Sequence, residues 1–86
     1  MPVEVSTQEV RSAVQEFLKR FIDDVEGIDD VRLITGGLLD SLVAVQMIDF
    51  IQQRFGITVE DEDLEIANFD SVNGVVAFVD RKAGTA

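Results

Sequence analysis

The 86-residue sequence contains no cysteine and no histidine. Without cysteine there is no disulfide and no thiolate metal site. Without histidine the commonest general base and the commonest metal ligand are both missing, which argues against an enzyme built from the usual parts. No apolar run is long enough to span a bilayer and no signal segment is visible, so a cytoplasmic protein is expected. Internal repeats and low-complexity segments are absent as well. Positive charge is scarce: seven Lys and Arg stand against 17 Asp and Glu, a formal net charge of -10. Such a chain repels nucleic acid and anionic membranes and attracts basic partners mainly by faster encounter, while the same charge also keeps it soluble.

What is present is apolar residues in helical spacing. They make up 47% of the chain, enough for one small core with a modest stability margin. One domain over residues 1–86 is expected, with an ordered core from about 6 to 82. Met1 to Val5 reads as a loose lead, and Ala83 to Ala86 as a frayed tail. Ser6-Thr7-Gln8-Glu9 has the form of a capping box, with Ser6 as cap and Glu9 reaching back. Val10, Ala13, Val14, Phe17, Leu18 and Phe21 then recur at three-and-four spacing and predict a first helix. Ile22 to Asp40 is a long connection, rich in acids but carrying Val25, Ile28, Val31, Leu33, Ile34, Leu38 and Leu39. A loop of that length needs a reason, and these aliphatics predict packing across the helices with a short turn near Val31 to Ile34.

The most informative stretch follows. Gly36 and Gly37 permit a sharp approach, and Asp40-Ser41 opens a second helix predicted over Ser41 to Arg54. Read locally, Ser41 is an N-cap. Its hydroxyl also sits where a helix N-terminus favours an anion. Along this helix Ala44, Val45, Ile48, Ile51 and Phe55 form one stripe and Val43, Met47 and Phe50 another, with Ile48, Ile51 and Phe55 expected in the core. Gly56 terminates it. Ile57-Thr58-Val59 reads as extended. Glu60-Asp61-Glu62-Asp63 fails as an EF-hand loop, because positions six and twelve would be Ile66 and Val72, so it reads as a solvated turn and no metal is expected. Leu64 to Ala67 predicts a short third helix, broken by Asn68-Phe69-Asp70-Ser71. Asp70 or Ser71 caps a last helix with Val72, Val75, Val76 and Val79 on one face. The carboxylate clusters fall in turns, with no histidine or lysine partner in the sequence pattern.

Gly37-Leu38-Leu39-Asp40-Ser41-Leu42 resembles the attachment motif of acyl and peptidyl carrier proteins. The resemblance continues through the helix ending Arg54-Phe55-Gly56-Ile57, the acidic Glu60 to Asp63 and the Asn68-Phe69-Asp70-Ser71-Val72 junction, covering about residues 8 to 82. It implies an all-α four-helix carrier bundle, with three main helices, a short third one and a long first loop. It further implies that Ser41 carries 4′-phosphopantetheine, with Gly37, Asp40 and Leu42 supporting the motif. Asp40 would cap the helix or help position the modifying transferase or its magnesium. The arm would supply a thiol for thioester chemistry, which this chain lacks.

By position, the resemblance places partner contacts at Leu42, Val45, Gln46, Asp49, Gln52 and Gln53. Expected partners are a phosphopantetheinyl transferase, an acyl- or aminoacyl-loading enzyme, and a downstream synthase or tailoring enzyme; a monomer is expected. Carriers of fatty acid synthesis are rich in carboxylates along the second helix, whereas here Val43, Gln46, Gln52 and Gln53 stand in their place. That resembles carriers of polyketide and nonribosomal peptide assembly. Asp63-Leu64-Glu65-Ile66-Ala67-Asn68-Phe69 is similar to discrete carriers of unusual extender units such as hydroxymalonyl or methoxymalonyl, and shares features with D-alanyl carriers. The competing reading is an acidic helical adaptor that binds another protein through its second helix and bears no prosthetic group. A hydrolase using Ser41 would need a base beside it, and the chain has no histidine.

Overall fold

The computed structural model describes residues 6–23 and 27–83. The expectations for Met1 to Val5, for Val25 and for Gly84 to Ala86 lie outside the described residues. Four helices follow in order: α1 (Thr7–Leu18), α2 (Ser41–Phe55), α3 (Ile66–Phe69) and α4 (Val72–Lys82), with a 3-10 turn at Asp61–Asp63. No strand occurs among the described residues. The all-α four-helix bundle with a long first loop is therefore what the sequence forms.

Three helix starts follow from side-chain oxygens that accept otherwise unpaired N–H groups. Ser6 Oγ accepts from Glu9 N–H at 3.0 Å and starts α1. The expected box is one-sided, because the Glu9 carboxylate accepts from Arg54 at 3.5 Å instead of reaching back. Asp40 starts α2, and Ser71 starts α4 by accepting from Gly74 N–H at 2.9 Å. Asp70 does not cap α4. The third helix lies two residues later than expected, at Ile66–Phe69. Phe69 is drawn into it because the ring is buried edge-on against Phe78, with centroids 5.1 Å apart.

The core lies between α1 and α4 and is closed by α2. Val10, Val14, Phe17 and Leu18 of α1 meet Val72, Val75, Val76, Phe78 and Val79 of α4. Ala44, Met47 and Ile51 are the buried residues of α2. The centre of that helix thus falls between the two expected stripes, with Met47 fully buried and Ile48 and Phe55 only half-buried at the edge. Phe21 lies beyond the end of α1 and is 40% exposed, with its ring 5.3 Å from that of Phe17.

The first loop is pinned at intervals. Ile28, Leu33 and Leu39 are buried in the core, whereas Val31 and Leu38 face outward. Its early part is held by polar contacts: Gln15 Nε2 donates to Asp29 at 2.8 Å, Arg11 pairs with Asp29 at 3.1 Å, and Asn73 N–H donates to the Asp29 carbonyl at 3.0 Å. The acidic turn also has a partner that the pattern did not give. Lys82, at the end of α4, pairs with Asp63 at 2.8 Å. Hydrogen bonding to Lys82 and to Glu60 N–H holds the Asp63 carboxyl below its ordinary range.

Met47→Ala and Leu18→Ala each empty a fully buried site and are expected to cost about 2–5 kcal/mol. Phe21→Ala is expected to cost no more than about 1 kcal/mol. Urea midpoints of the three variants, at unchanged transition slope, check this order.

Candidate functional site

The approach to Ser41 is a closed loop. A Cβ on Gly36 would lie 2.2 Å from the Arg32 carbonyl oxygen, so no other residue fits without moving the backbone. Gly37 adopts φ +83°, the left-handed region that side chains avoid, and donates to the Ile34 carbonyl at 3.1 Å. Leu39 N–H then donates to the Leu33 carbonyl at 2.8 Å while its side chain enters the core. The chain is thereby turned through the two glycines and delivered to the start of α2.

Asp40 is the cap of that helix: its backbone is extended, and Oδ1 accepts from Val43 N–H at 2.9 Å. Ser41 is therefore the first helical residue and not the cap. Serine and aspartate compete for the cap, and the residue earlier in the chain takes it here. Ser41 is exposed, and its hydroxyl has no hydrogen-bond partner among the described residues. A groove of about 260 Å³ opens beside it between α2 and α3, walled by Ile34, Ala44, Ile48, Leu64 and Ile66. The larger depression, about 730 Å³, lies between Phe17, Arg20 and the outer flank of α2 and does not include Ser41. The smaller groove is the one that concerns the serine.

Asp70 fixes this approach from the other side. Its carbonyl accepts from Leu33 N–H at 2.6 Å. Its Oδ1 accepts from Ile34 N–H at 2.7 Å and Thr35 N–H at 2.9 Å, and Oδ2 accepts from the Thr35 hydroxyl at 2.7 Å. Desolvation alone would raise the Asp70 carboxyl; the Thr35 hydroxyl and the two amides, aided by the charge of Arg32, outweigh it and hold the group below its ordinary range. The sequence offered a clue to this role. Asp70 and Ser71 are both cap-type residues, and only one can cap α4, which leaves the other free for a different task. The groove residues Leu64 and Ile66 are 57% exposed each, and the sequence pattern marks them only as part of the predicted third helix.

The residues assigned to partner contacts start at the serine and run up α2. Leu42 and Val45 are 66% and 61% exposed, and Gln46, Asp49 and Gln53 are exposed on the same side. Gln53 donates to Asp49 at 2.9 Å across one helical turn. Gln52 does not belong to this face. It is half-buried, and its Oε1 accepts from Val59 N–H at 2.9 Å, tying the extended 57–59 segment to α2. Among the described residues no group of acids is arranged to hold a metal ion, and no helix is long and apolar enough to cross a membrane.

Comparison with known proteins bears on this geometry. A family model described as the phosphopantetheine attachment site matches residues 8–79. The acyl carrier protein of Thermotoga maritima is 28% identical over 81 residues, 92% of this chain and 98% of its own. The D-alanyl carrier protein of Lacticaseibacillus casei is 32% identical over 59 residues, covering 69% of this chain and 73% of its own. That of Lactobacillus helveticus is 33% identical over 64 residues, covering 69% and 81%.

The capping assignment has a direct consequence. Asp40→Ala should destabilise the fold by about 1 kcal/mol. Ser41→Ala should change stability by less than about 0.5 kcal/mol, since an exposed first-turn alanine is a good helix residue. Paired urea melts distinguish the two. The Asp70 contacts set a pH dependence. A carboxyl held below its unfolded value stabilises the fold fully above that value and loses the contribution as pH falls through its folded value. The stability advantage of wild type over Asp70→Asn should thus be largest near neutrality and shrink below about pH 4. The difference between the two proteins is the quantity to follow, because acid also relieves the repulsion of the net negative charge.

Proposed function

The chain belongs to the phosphopantetheine attachment-site family, and from that premise we propose that Ser41 is the attachment point. In this family 4′-phosphopantetheine is held covalently on a serine. The observation that carries the assignment is the position of Ser41: exposed, first in its helix, with its hydroxyl unengaged, between a capping carboxylate and an apolar groove. When attached, the group supplies the nucleophilic thiol that a chain without cysteine lacks.

The chain's own residues hold and present that group. Asp40 fixes where α2 begins, so the serine oxygen has one place. Gly36 and Gly37 shape the turn that exposes it. Ile34, Ile48, Leu64 and Ile66 offer an apolar wall to the arm or its cargo. Leu42 and Val45, with Gln46, Asp49 and Gln53, form the surface that partner enzymes meet. The carboxylate next to Ser41, Asp40, is engaged as the helix cap with Val43 N–H, so on this reading the transferase removes the serine proton. On this reading the protein is a carrier and performs no catalysis, and residues 6–82 are its working unit. It acts as a monomer in the cytoplasm and meets in turn a phosphopantetheinyl transferase, a loading enzyme and a downstream synthase or tailoring enzyme.

The cargo is an acyl or aminoacyl group of a polyketide or nonribosomal peptide pathway, an unusual extender unit such as hydroxymalonyl or methoxymalonyl included. Two features support this. Asp49 is the sole acid in α2, which leaves little for the basic patches of fatty acid synthase enzymes to grip. The D-alanyl carriers among the relatives favour the aminoacyl side of the reading.

Incubation with coenzyme A, magnesium and a broad-specificity phosphopantetheinyl transferase should add one phosphopantetheine to the wild type and none to Ser41→Ala, read by intact-protein mass. Masses of forms recovered from the producing cell then identify the cargo. An unmodified, folded wild type at the end of the reaction would sink the assignment and favour a helical adaptor acting through Leu42 and Val45.

A further inference from the structure

The contacts of Asp70 reach further than the junction between α3 and α4. They are received by three consecutive residues, Leu33, Ile34 and Thr35. Leu33 is the hub. Its N–H is held by the Asp70 carbonyl, and its own carbonyl holds Leu39 N–H at 2.8 Å, two residues before Ser41. An unbroken path of backbone hydrogen bonds thus runs from the end of α3 to the residue preceding the cap of α2. The carboxylate locks the same loop a second time, one residue before the two glycines. Those glycines confer the most backbone freedom just where the chain must be held still. The clamp also ties two parts of the groove lining beside Ser41 together, since Ile34 belongs to the clamped loop, and Ile66 and Phe69 belong to the helix that Asp70 ends.

We propose that Asp70 is a positioning residue for Ser41: by holding Leu33 to Thr35 it keeps the glycine turn, and hence the serine, in the one geometry that the transferase accepts. The inference rests on the reading of Ser41 as attachment point. Asp70 does not touch the serine; it sets the fraction of molecules in which the serine is correctly presented. A protein whose competent state is only partly populated binds its partner with an apparent constant weakened by that fraction. Loss of the clamp therefore raises the KM of the transferase for this protein and leaves kcat nearly unchanged. A residue that merely supports the fold would not divide the effect in this way, because at a temperature where the variant stays folded neither constant would move.

The test is transfer kinetics from coenzyme A with wild type, Asp70→Asn, Thr35→Val and the double variant, below the melting transition of each. Glu16→Gln, which alters an exposed ion pair with Lys19, serves as control. If the clamped geometry is held in about one Asp70→Asn molecule in ten, KM rises about tenfold with kcat within about twofold. Thr35→Val, which removes one of the contacts, should raise KM less, and adding it to Asp70→Asn should do little more, because the two act through one network. Amide NMR signals of Ile34 and Thr35 should move in Asp70→Asn, whose neutral amide oxygen accepts less strongly than the carboxylate, and report the weakened contacts independently of activity. Should Asp70→Asn prove unfolded, Thr35→Val carries the test alone, with a raised KM expected at unchanged kcat. Wild-type KM in a folded variant whose Ile34 and Thr35 signals have moved would overturn the inference while leaving Ser41 as the attachment point. Absence of transfer to the wild type would overturn the attachment reading and this inference with it.

Discussion

The constraint on which the rest of the structure depends is the grip of Asp70 on Leu33, Ile34 and Thr35. A connection of this length pays a large conformational entropy and has no regular hydrogen bonding of its own. Three buried aliphatics, Ile28, Leu33 and Leu39, give it hydrophobic anchorage, but apolar contacts do not set direction. Hydrogen bonds to one charged acceptor do. Because the Asp70 side chain and main chain bind adjacent residues, the loop can neither slide nor rotate where it enters the glycine turn. The depressed carboxyl is the electrostatic counterpart of that geometry, since only the ionised form accepts all these donors.

A second consequence concerns α4. Four valines and a glycine make it a poor helix by intrinsic propensity. It forms because nearly its whole inner face is buried against α1 and because Ser71 supplies the missing partner for Gly74 N–H. Gly74 itself is required by packing. A Cβ there would lie 2.8 Å from the Ala67 carbonyl oxygen, so any side chain would push α3 away from α4. The position of α3 fixes both Asp70 and the apolar wall at Leu64 and Ile66. A residue that weakens its own helix thereby sets the groove next to Ser41.

Periodicity and capping chemistry made most of the fold legible. The valine face of α4, the core face of α1 and the end of α2 at Gly56 follow from spacing and residue type, whereas Ser41 stands out only through the resemblance of its surrounding residues to a known motif. Residue type alone does not rank adjacent cap-type residues: Asp40 takes the first cap from Ser41 by its local bond to Val43 N–H, while tertiary contacts with Ile34 and Thr35 draw Asp70 away and leave the second cap to Ser71. Gln52 reads as solvent-facing by polarity, yet it satisfies Val59 N–H, a demand created by a segment seven residues away. Met47 takes a fully buried place while Phe55, expected in the core, is only half-buried, because packing against α1 and not periodicity sets the rotation of α2. Phe21 continues a helical spacing after the helix has stopped at Leu18. The Lys82 partner of Asp63 is a contact between distant parts of the chain that no local pattern contains.

The missing residues take on a positive sense in this setting. A thioester presented near the protein surface is open to attack by thiolates and to general-base hydrolysis. This chain has no cysteine and no histidine anywhere along it. Around Ser41, the exposed Leu42 and the groove residues Leu64 and Ile66 are not nucleophilic, the neighbouring Asp40 is engaged with Val43 N–H, and Glu65 is the one carboxylate in the groove lining. The site is chemically quiet and geometrically strict. Both properties suit a platform whose cargo must survive until a partner enzyme acts on it. The apolar ridge of Leu42 and Val45 then has a different duty from the overall charge. Charge acts over a Debye length and speeds encounter, while apolar contacts act only once surfaces meet. On the proposed reading, with few charges on α2, the net charge of -10 would govern how quickly partners arrive and the ridge which of them stay.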